Sequence, residues 1–267
     1  MSSEFEQATA ISVVGESDGM FRGVVPDGWQ QGKGAFGGVA VGLLARAIVA
    51  SESDRTRTLR SLAADLCAPL LPGAVELHVS TLRRGGSVSF FDARLTQGGL
   101  VVAHASASLA SARPVTPAPM RPPAPQRPPW RDIAPLPVQP PLGPVFAAKY
   151  EYRSTGPLPF CGGTEAIAEG WIRERSAPSV VDEAVIAGML DAWWPTTLAV
   201  ESGPRPVATV GYTMQLLVDP RGLSPNEPLF YRGRGVVGSD NYFVEMRELW
   251  AGESVVAMNQ QTFALLG

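Results

Sequence analysis

Apolar residues recur at helical spacing in two segments of the chain, 36–50 and 182–200. The recurring positions are Val39, Leu43, Ala47 and Ala50 in the first segment, and Val185, Met189 and Trp193 in the second. The first segment also carries Val41, Leu44 and Ile48, so it is apolar on nearly every face. Because a helix that is apolar all round is buried, we expect a core helix in each half of the chain.

Most of the remaining segments alternate roughly between apolar and polar residues, which predicts β-strands. After the first helix the predicted strands are 75–82, 87–95 and 100–109. Around the second helix they are 146–153, 166–175, 208–218, 229–237, 242–250 and 254–265. Glycine-containing turns separate consecutive strands, which favours antiparallel pairing.

The two halves are related in sequence. Gly42–Ala47 matches Gly188–Trp193 at an offset of 146 residues, Pro72 matches Pro220 at 148, and Val101–Ala103 matches Val255–Ala257 at 154. Three matches in the same order indicate a duplicated unit. Each unit has one long helix and an antiparallel sheet, an α+β layout. A sheet wrapped round a central helix is the hotdog arrangement, so we expect a double hotdog.

Proline dominates residues 111–144, which excludes a helix or a central strand there. An extended connector between two folded halves explains this segment, and a ligand for a proline-binding module is the alternative. The expected division is an N-terminal hotdog at 1–110, the connector at 111–144 and a C-terminal hotdog at 145–267.

Composition excludes several classes of protein. The net charge of -3 argues against a nucleic-acid partner. The longest apolar stretch, 39–50, is interrupted by Arg46 and is shorter than the roughly 20 residues of a membrane span. The N-terminus lacks the features of a signal peptide, so we expect a cytoplasmic protein. Two cysteines and two histidines make neither a disulfide framework nor a metal site. We expect Cys67 and Cys161 to be buried free thiols, and His78 and His104 to be structural.

Three runs, in order, resemble one known family. They are GAFGGVA at 34–40, Ser61-Leu62 ahead of Ala68-Pro69, and LRRGGSVSF at 82–90. This set resembles the acyl-CoA thioesterase II family, within the thioesterase-like double-hotdog group, over nearly the whole chain outside the connector. The resemblance implies an acyl-CoA thioesterase of lipid metabolism that needs no cofactor or metal. One departure is Ala63 or Ala64, where the family often has histidine.

The resemblance also implies a catalytic trio of Asp191, Thr209 and Gln261. At the repeat offsets these residues correspond to Ala45, Ser61 and Ala107, so the first half lacks the acid and the amide. We therefore expect one working site in the C-terminal half and a degenerate one in the N-terminal half.

Chemistry supports each member of the trio, with alternatives. Burial of Asp191 in an apolar helix raises its pKa, which suits a general base, although a helix cap or arginine partner is the alternative. Thr209 and Gln261 can orient a water molecule, or they are ordinary strand residues. If the strand register is misassigned, Gln260 or Thr213 would take the place of Gln261 or Thr209. We expect Gln260 on the opposite face of its strand from Gln261, and Thr213 on the same face as Thr209.

Four further residues are candidates for substrate binding. Gly37 and Gly38 open the first helix, where unpaired amides can polarise a thioester carbonyl; their second-half counterparts lie near 181–183. Close packing is the alternative role for these glycines. Trp193 and Trp194 line an acyl tunnel or belong to the core.

Other classes of enzyme find little support. The sequence has no Gly-x-Ser-x-Gly elbow for a serine hydrolase and no Asp/His pair for a hydratase. The hypothesis from another class is a non-catalytic acyl-binding or assembly protein that kept the fold. Exposed sheet edges and helix faces further suggest a homo-oligomer.

Overall fold

The computed structural model describes residues 2–15, 19–113 and 122–266. The helices are α1 (Glu4–Ala8), α2 (Gly37–Ser51) and α3 (Glu183–Ala192). The strands are β1 (Ile11–Val13), β2 (Met20–Val25), β3 (Gln30–Gln31), β4 (Gly34–Ala35), β5 (Arg57–Leu66), β6 (Gly73–Arg84), β7 (Val88–Gln97), β8 (Leu100–Ser111), β9 (Tyr150–Ser154), β10 (Ile167–Glu174), β11 (Val207–Leu216), β12 (Leu229–Ser239), β13 (Tyr242–Ala251) and β14 (Ser254–Leu265). Short 3-10 helices lie at Trp130–Asp132, Val145–Lys149, Thr196–Ala199 and Pro220–Gly222.

Twelve strands form one antiparallel sheet in the order β1-β2-β6-β7-β8-β5-β11-β14-β13-β12-β10-β9. Each half contributes six strands, and equivalent strands take the same order counted inward from the two ends of the sheet. The last strands of the two series, β5 and β11, pair with each other at the centre. Helix α2 packs on β5–β8, α3 packs on β10 and β13, and the two helices contact each other. The α+β double hotdog predicted from the sequence is confirmed.

Three β-bulges occur at equivalent places in the two halves. The register shift between Thr81 and Arg83 recurs 154 residues later, between Gly235 and Val237. The shift between Leu95 and Thr96 recurs at the same offset, between Leu249 and Trp250. The shift between Leu59 and Ser61 in β5 recurs between Thr209 and Gly211 in β11, an offset of 150. The bulges align the halves strand by strand. They place Thr209 opposite Leu59 at an offset of 150. The sequence-based match to Ser61 is wrong because it used the offset of 148 from Pro72 and Pro220, and the first half has two more residues than the second between the bulge and that proline.

Two predicted elements have different bounds in the structure. The second helix ends at Ala192 instead of residue 200, since Trp193 has extended backbone and Pro195 disfavours helical geometry in the residue before it. A 3-10 turn then covers Thr196–Ala199. Of the strand predicted at 146–153, the first residues form the 3-10 turn Val145–Lys149, and the strand begins at Tyr150.

The proline-rich segment, described from residue 122, packs against the second half. The indole of Trp171 donates to the Pro128 carbonyl at 2.9 Å, and Arg153 donates to the carbonyls of Trp130 and Ile133. Leu136 makes an isolated bridge to Tyr152. These contacts attach the segment to β9 and β10. The expected division into 1–110, 111–144 and 145–267 stays a prediction, and residues 114–121 lie outside the described part.

Both cysteines are exposed, so the expectation of buried thiols is wrong. Cys67 follows the end of β5, and Cys161 lies in a loop where its thiol donates to the Ala199 carbonyl. Within the described residues no cluster of histidine, cysteine and acidic side chains could hold a metal ion. None of the described helices has the length and hydropathy to cross a membrane.

Glu174 is a buried acid at the end of β10. Its Oε1 atom has no hydrogen-bond partner among the described residues. Burial raises its pKa to about 7, while the Ser3 hydroxyl opposes the rise and the nearby Glu6 and Asp182 add to it. Arg46 also opposes the rise. Glu174 is therefore protonated in the folded protein at pH values where it ionises in the unfolded chain.

We predict that Glu174→Gln removes a pH-dependent loss of stability. Wild-type stability should fall between about pH 4.5 and 7, because unfolding releases a proton in that window. The variant should exceed the wild type by about 3 kcal/mol at pH 8 and by less than about 1 kcal/mol at pH 5. Urea unfolding at both pH values measures this, with the exposed Glu253→Gln as control. An equal gain at pH 5 would contradict it.

Candidate active site

The start of α2 meets the end of α3 at a buried carboxylate. Asp191 lies in the last turn of α3 and is 6% exposed. Its Oδ2 accepts a hydrogen bond from the backbone amide of Gly38 at 2.7 Å, and its Oδ1 accepts one from the Gln261 amide at 3.0 Å. The carboxylate is thus held by a helix N-terminus from the first half and a strand from the second.

Gln261 is held in turn by two neighbours. Its Nε2 also donates to Asn259 Oδ1 at 3.0 Å, and Asn259 donates to the Thr213 carbonyl at 2.9 Å. The Thr209 hydroxyl donates to Gln261 Oε1 at 3.4 Å. Both amide protons and the amide oxygen of Gln261 are therefore used, which fixes the orientation of the side chain. The structure brings Asp191, Gln261 and Thr209 together.

The register of β11 and β14 separates these residues from their neighbours. Gln261 is fully buried, while Gln260 is exposed on the other face of β14. Thr209 lies opposite Phe263 and Thr213 lies opposite Gln260, with the bulge between them. The expectation that Thr213 shares a face with Thr209 is wrong, because the extra residue, Val210, reverses the alternation.

Neighbouring groups act on the pKa of the Asp191 carboxyl in opposite directions. Burial raises its pKa above the ordinary value, and Glu245 adds to the rise. The Arg247 charge, the Gln261 hydrogen bond and the Gly38 amide oppose it. A carboxylate with a raised pKa that remains hydrogen-bonded as an anion can accept a proton from water near neutral pH.

Sequence reasoning missed Asn259, Glu245 and Arg247, all buried. Arg247 Nη1 donates to the Leu190 carbonyl at 2.7 Å and lies 4.0 Å from Asp191 Oδ1, while its Nε donates to Glu245. In the β13–β14 ladder Glu245 pairs with Gln261 and Arg247 pairs with Asn259. The sequence did contain one signal. Asn259 is two residues from Gln261, and residues two apart on a strand face the same side of the sheet.

The two glycines at the start of α2 have different surroundings. A Cβ on Gly38 would lie 2.4 Å from the Phe36 ring and 3.0 Å from Gly188 Cα, so this glycine permits close packing. A Cβ on Gly37 would lie 2.9 Å from Asp191 Oδ2. The Gly38 amide is occupied by Asp191, whereas the Gly37 amide makes no hydrogen bond within the described residues. Their role in substrate binding stays a prediction.

The two tryptophans lie beside the end of α3. Trp193 is buried and stacks on Tyr231, with ring centroids 4.9 Å apart. Trp194 is half-buried and packs on Trp193 and Tyr152. Both indole nitrogens lack a hydrogen-bond partner in the described structure. Trp193 is part of the core, and a role for either residue in acyl binding stays a prediction.

Two cavities lie away from the trio. One, of about 530 Å³, lies between the proline-rich segment, Trp171 and Glu253. The other, of about 440 Å³, lies at the start of α3 and is lined by Arg46, Asp182 and Arg221 among others. Near the trio, Gly37, Leu66 and Thr209 are half-buried.

The duplicated sheet, the two central helices and the buried Asp/Gln/Thr group define a double-hotdog protein. Family profiles described as the acyl-CoA thioesterase N-terminal and C-terminal domains match residues 25–110 and 117–265. The chain belongs to this acyl-CoA thioesterase family, which confirms the resemblance predicted from the sequence.

Solved structures share the whole fold at low identity. A hotdog protein of unknown function from Alicyclobacillus acidocaldarius is 23% identical, with a TM-score of 0.90 and coverage of 100% of this chain and 99% of that one. A putative thioesterase II from Thermobifida fusca YX is 22% identical, with a TM-score of 0.86 and coverage of 100% and 98%. An acyl-CoA thioesterase II from Mycobacterium marinum is 18% identical, with a TM-score of 0.75 and coverage of 98% and 96%. No curated protein matches the sequence.

We predict that Gly38→Ala destabilises the fold. The added methyl group would overlap the Phe36 ring and press on Gly188, so the two helices must move apart. Overpacking of this kind costs about 1–3 kcal/mol. Denaturant unfolding measures the loss, with Gly86→Ala as the matched control because a Cβ there meets nothing within 4 Å. If both variants unfold at the same denaturant concentration, the packing role of Gly38 is excluded.

Proposed function

We propose that this protein is an acyl-CoA thioesterase that hydrolyses an acyl-CoA to free CoA and a carboxylic acid. The observation that carries the proposal is the buried Asp191 carboxylate, held by the Gly38 amide and Gln261 with Thr209 beside them. Family membership supplies the class of substrate. The acyl length and branching are left to experiment.

Asp191 is the proposed general base. Each of its oxygens accepts one hydrogen bond from the protein, so lone pairs remain for a water molecule. The water gives a proton to Asp191 as its oxygen attacks the thioester carbonyl. The C–S bond of the tetrahedral intermediate then breaks, and the proton passes from Asp191 to the departing thiolate. The products are a carboxylic acid and the free thiol of CoA.

The other residues have supporting roles in this proposal. Thr209 and Gln261 orient the water and do not take its proton. The Gly37 amide, at the first turn of α2, is the candidate donor to the carbonyl oxygen, because its N–H has no partner among the described residues and the helix dipole favours developing negative charge. Trp193 and Trp194 are candidates for shaping the acyl site.

The proposal assigns one working site to each chain. At the equivalent positions of the first half, Asp191 and Gln261 are replaced by Ala45 and Ala107, both buried. Neither alanine can accept or orient a proton. A cytoplasmic location and assembly into homo-oligomers remain predictions.

We predict that Asp191→Asn loses about 10²–10⁴-fold in kcat for thiol release from an acyl-CoA, because an amide cannot act as the base. The amide oxygen of Asn can accept from Gly38, but its N–H then faces the donor of Gln261, so we expect some loss of stability and check by circular dichroism that the variant is folded at the assay temperature. Free thiol is measured across a panel of straight, branched and aromatic acyl-CoAs. The matched control is Asp240→Asn, an exposed turn residue that should retain wild-type turnover.

Two outcomes would count against the proposal. Wild-type turnover in Asp191→Asn would remove the site assignment. Binding of an acyl-CoA by calorimetry without turnover of any panel member would favour the non-catalytic acyl-binding protein instead.

A further inference from the structure

We propose that Arg247, anchored by Glu245, is a positioning residue: it holds the last turn of α3 and supplies the positive charge that keeps Asp191 available as a base. The inference deepens the proposed function and rests on it for the role of Asp191. Neither Arg247 nor Glu245 takes part in the chemical steps described above.

The geometry gives Arg247 two simultaneous contacts with the end of α3. Its Nη1 donates to the carbonyl of Leu190 at 2.7 Å and lies 4.0 Å from Asp191 Oδ1. The Leu190 carbonyl belongs to the last turn of the helix, where carbonyls lack partners within the helix. One guanidinium therefore fixes the backbone next to Asp191 and places a charge beside its carboxylate.

Glu245 fixes the guanidinium from the other side. Its Oε1 accepts from Arg247 Nε, and its Oε2 accepts from the backbone amide and the hydroxyl of Thr196, both at 2.7 Å. Thr196 opens the turn that follows α3. The pair is buried, with 1% of the Arg247 side chain and none of the Glu245 side chain exposed. Strand β13 is thereby bonded to the chain on both sides of Asp191.

The duplication shows that the fold itself does not need this ion pair. At the offset of 154 set by the bulges, Glu245 corresponds to Phe91 and Arg247 to Ala93, both fully buried. The same alignment sets Asn259 opposite Ala105 and Gln261 opposite Ala107. A buried ion pair is often no more stable than apolar packing. The pair therefore accompanies the polar site, and the half without that site has apolar packing instead.

The remaining titratable groups facing Asp191 carry no charge. They are four buried tyrosines on β9, β11 and β12, namely Tyr150, Tyr152, Tyr212 and Tyr231. Burial raises the pKa of each tyrosine above its ordinary value. Among the described groups acting on Asp191, Arg247 lowers its pKa and Glu245 raises it, with Arg247 the larger influence. Removing both charges should therefore raise the pKa of Asp191 further.

The test replaces both charges together, because Arg247→Met alone would leave Glu245 buried and unpaired. In the Glu245→Gln/Arg247→Met variant, the amide oxygen can still accept from Thr196. We expect the pKa of Asp191 to rise further above its wild-type value, read from the side-chain carboxyl carbon in ¹³C NMR and assigned with Asp191→Asn. The acid limb of the kcat profile should move to higher pH by the same amount, and kcat should fall about tenfold with less change in KM.

Two further variants control for packing and folding. Glu248→Gln/Arg232→Met removes another ion pair of β13, with an N–O distance of 2.6 Å, that is only half-buried. This variant should leave the pKa of Asp191 and kcat unchanged. Arg247→Lys keeps the charge but cannot donate to Glu245 and Leu190 in the same fork geometry. It should retain the wild-type pKa of Asp191 with a reduced kcat, even if the double variant does not fold.

The readouts separate the two proposals. An unchanged Asp191 pKa in the folded double variant, or an Arg247→Lys variant with wild-type kcat, would overturn the positioning role. A shifted Asp191 pKa in a protein that hydrolyses no acyl-CoA would overturn the proposed function and leave the effect of Arg247 on Asp191 established.

Discussion

The burial of one carboxylate at the contact between two helices constrains the rest of this molecule. The Arg247 charge, the Gln261 side chain and the Gly38 amide oppose the rise in the pKa of Asp191 that this burial causes. The Gly38 amide belongs to the N-terminal half and the Gln261 side chain to the C-terminal half. The site therefore requires that the two halves pack in one fixed arrangement, with Gly38 close against Gly188.

The duplicated architecture separates what the fold needs from what the site needs. The three bulges recur in both halves, so the curvature and register of the strands are properties of the fold. Five buried polar residues of the second half are replaced by apolar residues at the equivalent positions of the first half. In the order Asp191, Glu245, Arg247, Asn259 and Gln261, the replacements are Ala45, Phe91, Ala93, Ala105 and Ala107. These polar groups are paired with one another, and such a buried network is often no more stable than the apolar packing that fills the same positions in the first half, so the stability of the fold does not account for it.

The sequence could predict the parts of this structure that follow a regular period. Helical spacing identified α2 and α3, and alternation identified most strands. The family resemblance pointed to Asp191, and its position inside an apolar helix supported that choice. A bulge breaks the period without leaving a signal in residue type, so Val210 misled the placement of Thr213. Arg247 and Glu245 were missed because charged strand residues normally face solvent, and only the ladder shows that they share the buried face of Gln261. The early end of α3 was readable, since Pro195 stands three residues beyond the last helical one.

Neighbouring side chains enclose the Asp191 carboxylate on several sides. Arg247 and Glu245 close the side toward β13, and Trp193 with Tyr152 closes the side toward β9. The half-buried Gly37, Leu66 and Thr209 border the remaining side, at the seam between the halves. A side chain on Gly37 would crowd Asp191 Oδ2, so glycine at this position lets the start of α2 lie close against the carboxylate. The acid comes from the second half and the Gly38 amide that it accepts from comes from the first, which is why neither half could form this hydrogen-bonded group alone.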